Sequence, residues 1–323
     1  MFSFADLDDA TRLVHQTMAP TPAYAWPLLA QRLGVDVVVK HENHTPVGAF
    51  KVRGGLVYLD RLVRERPHVR GIVSATRGNH GQSLAFAGRR YGIPVVIVVP
   101  HGNSTEKNAA MRALGAELVE HGRDFDEARQ AAAALAAERG FEMVPSFAQD
   151  LVRGVATYAV ELFRQEQALH TVFVPIGLGS GICGLIAARD AMGLDTRIVG
   201  VVSDRANAYR LSFEAGHPVM TNTALTFADG MATRQPDPDA LAVIRAGAER
   251  IVEVPDTLIA EAIRVLHEDT HNLAEGAGAA PLAALMAERE HFAGQRVGVI
   301  LCGGNIDRGW NATIMAGGTP SVA

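Results

Sequence analysis

Short runs of β-branched and other apolar residues alternate along the chain with longer, alanine-rich segments whose apolar positions recur at helical spacing. The runs lie at 35–39, 71–74, 95–99, 116–120, 171–176, 197–202, 251–254 and 297–302. This alternation predicts an α/β fold with a largely parallel sheet, because parallel strands need helical crossovers between them. The runs are almost continuously apolar, which indicates that both faces of the sheet are covered.

Four unusual loops directly follow predicted strands. They are HENHTPVGAFK (41–51), SATRGNHGQ (74–82), GLGSGICG (177–184) and CGGNID (302–307). In open parallel sheets, ligands bind in the crevice at the carboxyl ends of the strands. We therefore expect the four loops to converge on one site.

The length, net charge and cysteine content of the chain limit the classes of protein to which it can belong. At 323 residues the chain exceeds the usual size of a single hydrophobic core, so two domains are expected. A formal charge of −5 argues against a nucleic-acid partner, and no apolar run is long enough to suggest a membrane span. The acidic N-terminal segment is unlike a signal peptide, and Cys183 and Cys302 are too isolated for a disulfide framework. These features favour a cytoplasmic protein.

The glycine-rich loop predicts an anion site. It consists of Gly177, Leu178, Gly179, Ser180 and Gly181. The loop follows a predicted strand and precedes a predicted helix at 182–192, so backbone N–H groups and a helix N-terminus can face a phosphate. Residues 179–184 also match G-x-G-x-x-G, and Asp204 follows about 20 residues later, where a ribose-binding acid would lie. A nicotinamide site is therefore an alternative, as is a ligand-free tight turn.

Lys51 is one of only three lysines among 30 lysine and arginine residues. It lies among small and apolar neighbours, and burial lowers the pKa of a lysine. Such an amine is nucleophilic enough to form a Schiff base with an aldehyde cofactor. The alternative is a surface lysine on the first turn of a predicted helix at 50–64.

Five motifs in order resemble the pyridoxal-phosphate (PLP) enzymes of the tryptophan-synthase β fold type, specifically the serine/threonine dehydratase family. They are GAFKVRGG (48–55), TRGNHGQ (76–82), GLGSG (177–181), AEGAGA (274–279) and CGGN (302–305). The resemblance implies an α/β fold of type II, with two open, twisted, mostly parallel sheets flanked by helices. It also implies a large PLP-binding domain of residues 1–45 and 147–323, with a small domain of residues 46–146 inserted into it.

The resemblance also implies roles for individual residues. Lys51 would bind the cofactor aldehyde and then act as the base at the substrate α-carbon, and Asn79 would hydrogen-bond the ring hydroxyl. Residues 177–181 would hold the phosphate, and Glu275 would lie near the ring. Cys302 would face the pyridine nitrogen. Because a thiol is a weak, neutral partner, it leaves the ring a shallower electron sink, which suits elimination better than transamination.

The segment Thr76, Arg77, Gly78 and His80 is expected to bind the substrate. Members of the family usually have two small residues before this glycine, so Arg77 is a departure. Related racemases place a serine base at that position, and an arginine cannot act as a base, which disfavours racemisation. The Arg77 guanidinium could instead hold a substrate carboxylate or form a surface ion pair.

No metal is expected. Some relatives bind a divalent cation through carboxylates, at positions where this sequence has Val202 and Ala208. The segment HEDTH (267–271) matches a zinc motif, but it lacks a well-placed third ligand.

The sequence thus predicts a cytoplasmic PLP-dependent dehydratase of the ammonia-lyase type, acting in amino-acid catabolism as a homodimer. It would convert a β-hydroxy-α-amino acid into a 2-oxo acid and ammonia. Threonine and serine are the common substrates of the family, while the loops around Lys51 and Asn79 look closer to its phenylserine dehydratase branch. The alternatives are an NAD(P)-dependent oxidoreductase, an amino-acid racemase on the same scaffold and a non-catalytic ligand sensor.

Overall fold

The computed structural model of the chain describes residues 1–166 and 168–322. Its strands are β1 (Ala23–Ala25), β2 (Asp36–His41), β3 (Ile72–Ala75), β4 (Val95–Val99), β5 (Glu117–Glu120), β6 (Glu142–Met143), β7 (Thr171–Pro175), β8 (Arg197–Ser203), β9 (Arg250–Val254) and β10 (Arg296–Leu301). Its α-helices are α1 (Phe4–His15), α2 (Pro27–Leu33), α3 (Lys51–Glu65), α4 (Asn79–Tyr91), α5 (Thr105–Ala113), α6 (Phe125–Arg139), α7 (Gln149–Gln165), α8 (Ser180–Ala191), α9 (Ala208–Ala215), α10 (Pro238–Gly247), α11 (Asp256–Thr270), α12 (Gly276–Glu288) and α13 (Arg308–Met315).

The strands form two sheets. The six-stranded sheet has the order β1-β2-β10-β7-β8-β9, and all its pairs are parallel except β1 with β2. The four-stranded sheet has the order β5-β4-β3-β6 and is parallel throughout. The predicted α/β class with two mostly parallel sheets is therefore confirmed.

All eight predicted strands are present, with ends shifted by no more than two residues. The two additional strands, β1 and β6, have three and two residues and are too short to produce a recognisable apolar run. Strand β5 lies at an edge and is exposed at both ends, so the expectation of two covered faces fails there.

Local sequence explains the boundaries of the helices. Helix α6 is rich in alanine, the best helix former, and Asp124 caps its start by accepting a hydrogen bond from the Glu127 N–H. Gly140 ends it in the left-handed conformation. The largest hydrophobic core surrounds the six-stranded sheet and includes α7, which is buried along most of its length.

The sheet order brings the predicted site loops together. Strands β2, β10 and β7 are neighbours and point the same way, so the loops after them meet at one edge of the sheet. The backbone confirms this contact, since the Phe50 N–H donates to the Cys302 carbonyl at 2.9 Å. The loop after β3 reaches the same place from the four-stranded sheet, which lies wholly within residues 72–143. The limits of the two domains stay a prediction.

No helix in the described ranges is both long and apolar enough to cross a lipid bilayer.

Candidate active site

Lys51 is the first residue of α3, and its side chain points at the glycine-rich loop. Its Nζ donates to the Ser180 hydroxyl at 2.8 Å and lies 5.1 Å from the centre of the Phe50 ring. Burial lowers the pKa of this amine to about 8, and the Cys302 thiol only partly opposes that shift. Lys51 forms no ion pair with any carboxylate of the described residues, whereas the other two lysines do. The amine is therefore poised to act as a nucleophile or base.

The glycine-rich loop joins β7 to α8. Gly179 precedes the helix with φ of +101°, where an L side chain would be strained, and a Cβ there would lie 2.7 Å from the Ala240 Cβ. Beside Gly181 there is more room, because the nearest atom to an added Cβ would be 3.6 Å away. The start of α8 thus presents free N–H groups next to Lys51, as an anion site requires.

Asn79 and Glu275 are in direct contact. The Asn79 amide donates to the two Glu275 carboxylate oxygens at 2.8 and 3.1 Å. Burial raises the pKa of Glu275 to about 7, although the Lys107 charge opposes this. The two residues predicted to lie around a cofactor ring are therefore neighbours, and the carboxyl group gains or loses its proton near neutral pH.

Asn305 holds Asn79 in place. Its amide donates to the Asn79 Oδ1 at 2.8 Å and to the Val47 carbonyl at 2.9 Å. Gly48 makes room for it, since φ there is +69° and a Cβ would lie 2.6 Å from the Asn305 Oδ1. Sequence reasoning quoted Asn305 within the CGGN motif but gave it no role.

Cys302 is buried where β10 ends, and burial raises the pKa of its thiol well above the usual value. It is therefore a neutral thiol. The next residue, Gly303, packs against the Glu275 carboxylate: a Cβ there would lie 2.7 Å from Glu275 Oε1. This places the end of β10 against the Asn79–Glu275 pair.

The segment predicted to bind substrate divides into buried and exposed positions. Thr76 is buried, and its hydroxyl accepts a hydrogen bond from the Gly78 N–H at 3.0 Å, so it shapes the loop. His80 is buried, and its Nε2 has no hydrogen-bond partner among the described residues. Burial, reinforced by the charge of Lys51, lowers the pKa of His80 to about 3. Arg77 is exposed and forms no ion pair within the described chain, so the predicted surface ion pair is not found there.

Sequence reasoning missed a second lysine at the site. The buried Lys107 of α5 forms an ion pair with Asp229, and its stem packs against Gly78. Nearby charges, chiefly that of Asp229, outweigh burial and raise the pKa of Lys107. The scarcity of lysine in this chain was the signal that could have identified it.

Two sequence features suggested other functions, a nicotinamide site and a zinc site, and the surroundings of each do not favour that function. Strands β7 and β8 with α8 form the parallel unit that a nicotinamide site needs, but Lys51 and Phe50 lie at its glycine loop. In the zinc-like segment, α11 ends at Thr270 and His271 adopts a left-handed conformation. His267 and His271 therefore do not share a helical face.

The residues that meet at this site fit PLP. An aldehyde cofactor needs an unpaired amine with a lowered pKa, which Lys51 supplies. Its phosphate needs free N–H groups, which the glycine-rich loop and the start of α8 supply. The unpartnered Nε2 of the buried His80 is a polar group left available to a ligand.

Comparison with known proteins supports this chemistry. The family described as pyridoxal-phosphate dependent enzyme matches residues 14–303. The L-threo-3-hydroxyaspartate ammonia-lyase of Saccharomyces cerevisiae is 31% identical over 98% of this chain and 97% of its own length.

Solved structures agree with the sequence match. The processed form of threonine deaminase isoform 2 from Solanum lycopersicum superposes with a TM-score of 0.91 at 30% identity, covering 97% of this chain and 92% of that one. Maize serine racemase superposes with a TM-score of 0.90 at 25% identity, covering 95% and 94%. The predicted fold type, cofactor and enzyme class are confirmed, and the chain belongs to the family of pyridoxal-phosphate-dependent enzymes.

Proposed function

We propose that the protein is a PLP-dependent ammonia-lyase that removes water from a β-hydroxy-α-amino acid, releasing a 2-oxo acid and ammonia. The observation that carries the proposal is the unpaired Lys51 amine, with its lowered pKa, held 2.8 Å from Ser180 of the glycine-rich loop. The activities named for the yeast and tomato relatives agree with it.

Each residue has a defined task in this mechanism. PLP, when bound, withdraws electrons from the substrate α-carbon and so acidifies its proton. Lys51 would hold the cofactor through its aldehyde, and its free amine would take the α-proton as general base. The N–H groups of residues 177–181 would hold the phosphate, and the neutral thiol of Cys302 would serve the ring nitrogen without adding a counter-charge.

Asn79 and Glu275 would orient the cofactor ring. Asn305 fixes the Asn79 amide, so the amide can be directed without rearrangement when a ligand arrives. Thr76, Gly78 and His80 form the substrate side of the pocket, and Arg77 is available to bind a carboxylate of the substrate.

The first experiment tests the attachment site. Borohydride reduction of the purified holoenzyme, followed by peptide mass mapping, should place a pyridoxyl group on Lys51. The same treatment of Lys51→Ala should give none. An adduct on Lys40 or Lys107 of the unmodified protein would refute the mechanism.

The second experiment tests the reaction and its substrate. The protein should release a 2-oxo acid and ammonia from one or more of L-threonine, L-serine, L-threo-phenylserine and L-threo-3-hydroxyaspartate. We expect phenylserine to be a substrate, since the loops around Lys51 and Asn79 resemble that branch of the family. Inversion of an amino acid with no 2-oxo acid would support the racemase alternative instead.

We also propose a cytoplasmic homodimer acting in amino-acid catabolism, with a small domain of residues 46–146 inserted into the large one. The acidic composition and isolated cysteines support the location. The location of the four-stranded sheet between residues 72 and 143 supports the domain limits. Light scattering of the holoenzyme would test the dimer, and a mass of one chain would refute it.

A further inference from the structure

A second buried polar cluster adjoins the first turn of α3, which carries Lys51. We call it the Arg53 network. It consists of Thr21, Lys40, Glu42, Arg53, Thr157 and Glu161. Its four charged side chains are almost completely buried, with exposed fractions between 0 and 3%. Two cations face two carboxylates, so the cluster is balanced in charge.

Arg53 is the centre of this network, because its guanidinium donates to four other side chains. Towards Glu42 it forms a two-pronged contact through Nε (2.7 Å) and NH2 (2.9 Å). Towards Glu161 it donates through NH1 (2.7 Å) and NH2 (2.8 Å). The hydroxyls of Thr157 and Thr21 accept at 3.0 and 3.2 Å. A planar guanidinium held by this many acceptors has one allowed orientation.

The network joins separate parts of the chain at the first turn of α3. Lys40 belongs to β2, Glu42 directly follows that strand, and Thr157 and Glu161 belong to α7. Arg53 lies two residues after Lys51 in the same helical turn. Any rotation or shift of this turn would move Lys51 and Arg53 together, because a helix moves as a rigid element over one turn.

Backbone contacts hold the same turn from other sides. The Ser83 hydroxyl donates to the Lys51 carbonyl at 2.6 Å. Gly154 of α7 packs directly on α3, where a Cβ would lie 2.3 Å from the Arg53 carbonyl oxygen. The turn that carries Lys51 is thus fixed both by packing and by directed hydrogen bonds.

Stability alone is a weak explanation for such a network. The cost of removing four ionised groups from water offsets much of their mutual attraction, and apolar side chains of similar volume often serve stability as well or better. Charged side chains form directional hydrogen bonds, which fix the orientation of the groups they join, and apolar side chains do not. A site whose chemistry depends on the position of one amine needs such fixed orientation, since small displacements of a reacting group slow catalysis markedly.

We propose that Arg53 is a positioning residue for Lys51. By its hydrogen bonds to Glu42 and Glu161, it fixes the first turn of α3 and thereby aims the Lys51 amine at the glycine-rich loop. This inference rests on the proposed role of Lys51 as the residue that binds the cofactor.

The test compares Arg53→Lys with the unmodified holoenzyme. The variant keeps the positive charge but loses the two-pronged contacts. We expect at least a fivefold fall in the fraction of Lys51 that carries a pyridoxyl group after borohydride reduction at equimolar PLP, measured by peptide mass mapping. We also expect at least a tenfold fall in kcat, and a shift in the midpoint pH of the visible absorption band.

The matched control is Arg296→Lys. Arg296 binds Asp36 at 2.6 Å and Glu166 at 2.8 and 3.0 Å, at the end of β10 opposite Cys302. This variant should lower Tm without changing the pyridoxyl fraction on Lys51 or the midpoint pH. The control distinguishes the general effect of weakening an arginine ion pair from the specific effect of displacing the Lys51 amine.

Two results would overturn the proposal. One is Arg53→Lys with a lowered Tm but with a pyridoxyl fraction, midpoint pH and kcat within twofold of the unmodified protein. If Arg53→Lys does not fold, the charge-balanced double variant Arg53→Met with Glu42→Gln decides in the same way: normal labelling of Lys51 refutes the proposal. Absence of a pyridoxyl group on Lys51 in the unmodified protein is a different outcome, because it refutes the proposed function itself.

Discussion

Two buried lysines, only eleven positions apart in the sequence, have opposite surroundings. The Lys40 Nζ donates to the Glu161 carboxylate and to the Thr21 carbonyl, both at 2.7 Å, inside the Arg53 network. The Lys51 Nζ donates to one neutral hydroxyl, that of Ser180. Burial lowers the pKa of both amines, but at Lys40 the charges of Glu42 and Glu161 oppose that shift. At Lys51 no carboxylate of the described residues opposes it. Compensation of charge therefore separates the structural Lys40 from the proposed reactive Lys51.

Glu161, one of the two carboxylates of the network, shows the same effect of charge compensation on an acidic group. Burial alone would raise the pKa of Glu161, yet the charges of Arg53 and Lys40 lower it to about 2. In the candidate active site, by contrast, burial dominates and raises the pKa of Glu275 to about 7. The Glu161 carboxylate of the network is therefore held in its ionised form, while the Glu275 carboxyl of the candidate active site can exchange its proton near neutral pH.

The largest expected effect is the loss of the unpaired amine. Lys51→Met should lower kcat at least about 10⁴-fold, or about 5 kcal/mol of transition-state free energy, because it removes the proposed general base and attachment point. Stability should be unchanged or higher, since the variant no longer buries an uncompensated amine. Steady-state kinetics and urea unfolding would check this. If Lys51→Met lowered stability and retained activity, Lys51 would be a structural lysine like Lys40 and not a reactive one.

Within the network, removal of a charge should cost stability. Glu161→Gln should lower the free energy of unfolding by about 4 kcal/mol, because it leaves Arg53 and Lys40 buried with one carboxylate fewer. Urea unfolding would measure the loss. Glu166→Gln is the control, since its pair with the partly exposed Arg296 should contribute no more than about 1 kcal/mol. Equal effects of the two substitutions would show that the burial of the network is energetically unimportant.

Glu275 should make stability depend on pH. Its pKa rises from an ordinary value of 4.5 to about 7 on folding, so the folded protein binds the proton more tightly. The resulting stabilisation, about 3 kcal/mol, is complete below pH 4.5 and is lost as pH rises through 7. Glu275→Gln should remove this contribution and flatten the profile of urea-unfolding free energy between pH 5 and 8. An unchanged slope would assign the pH dependence to other groups.

The smallest expected effect comes from a substitution at Gly48, which packs against the Asn305 side chain. Gly48→Ala should cost about 2 kcal/mol of stability, because φ is +69° and the new Cβ would meet the Asn305 Oδ1 at 2.6 Å. It should also lower kcat, since Asn305 holds Asn79. Gly34→Ala is the matched control: φ there is +68°, but no atom lies within 4 Å of the added Cβ. If both variants lose equal stability and activity, the contact with Asn305 has no special importance.

Much of the fold was predictable because its strands are strong local signals. Runs such as 95–99 and 171–176 are so rich in β-branched residues that their positions required no tertiary information. The edge strand β5 and the short strands β1 and β6 were less predictable, since their pairing depends on neighbours supplied by the rest of the chain.

The candidate site was predictable where a motif fixes a residue to a glycine-rich turn or a strand end, as for Lys51, Gly179 and Cys302. Lys107 and Asp229 were missed because their contact joins residues 122 positions apart. No local pattern marks such a pair. The Arg53 network was missed for the same reason, although Arg53 lies inside a motif that was noted.

The sequence by itself determined the order of strands and helices, the glycine turns and the family, because these depend on short-range patterns and on the spacing of motifs. Only the tertiary structure decided which buried charges are compensated and which are not. That depends on side chains from distant segments meeting at hydrogen-bonding distance. Burial lowers the pKa of the Lys51 amine, and no carboxylate of the described residues pairs with it to oppose that shift.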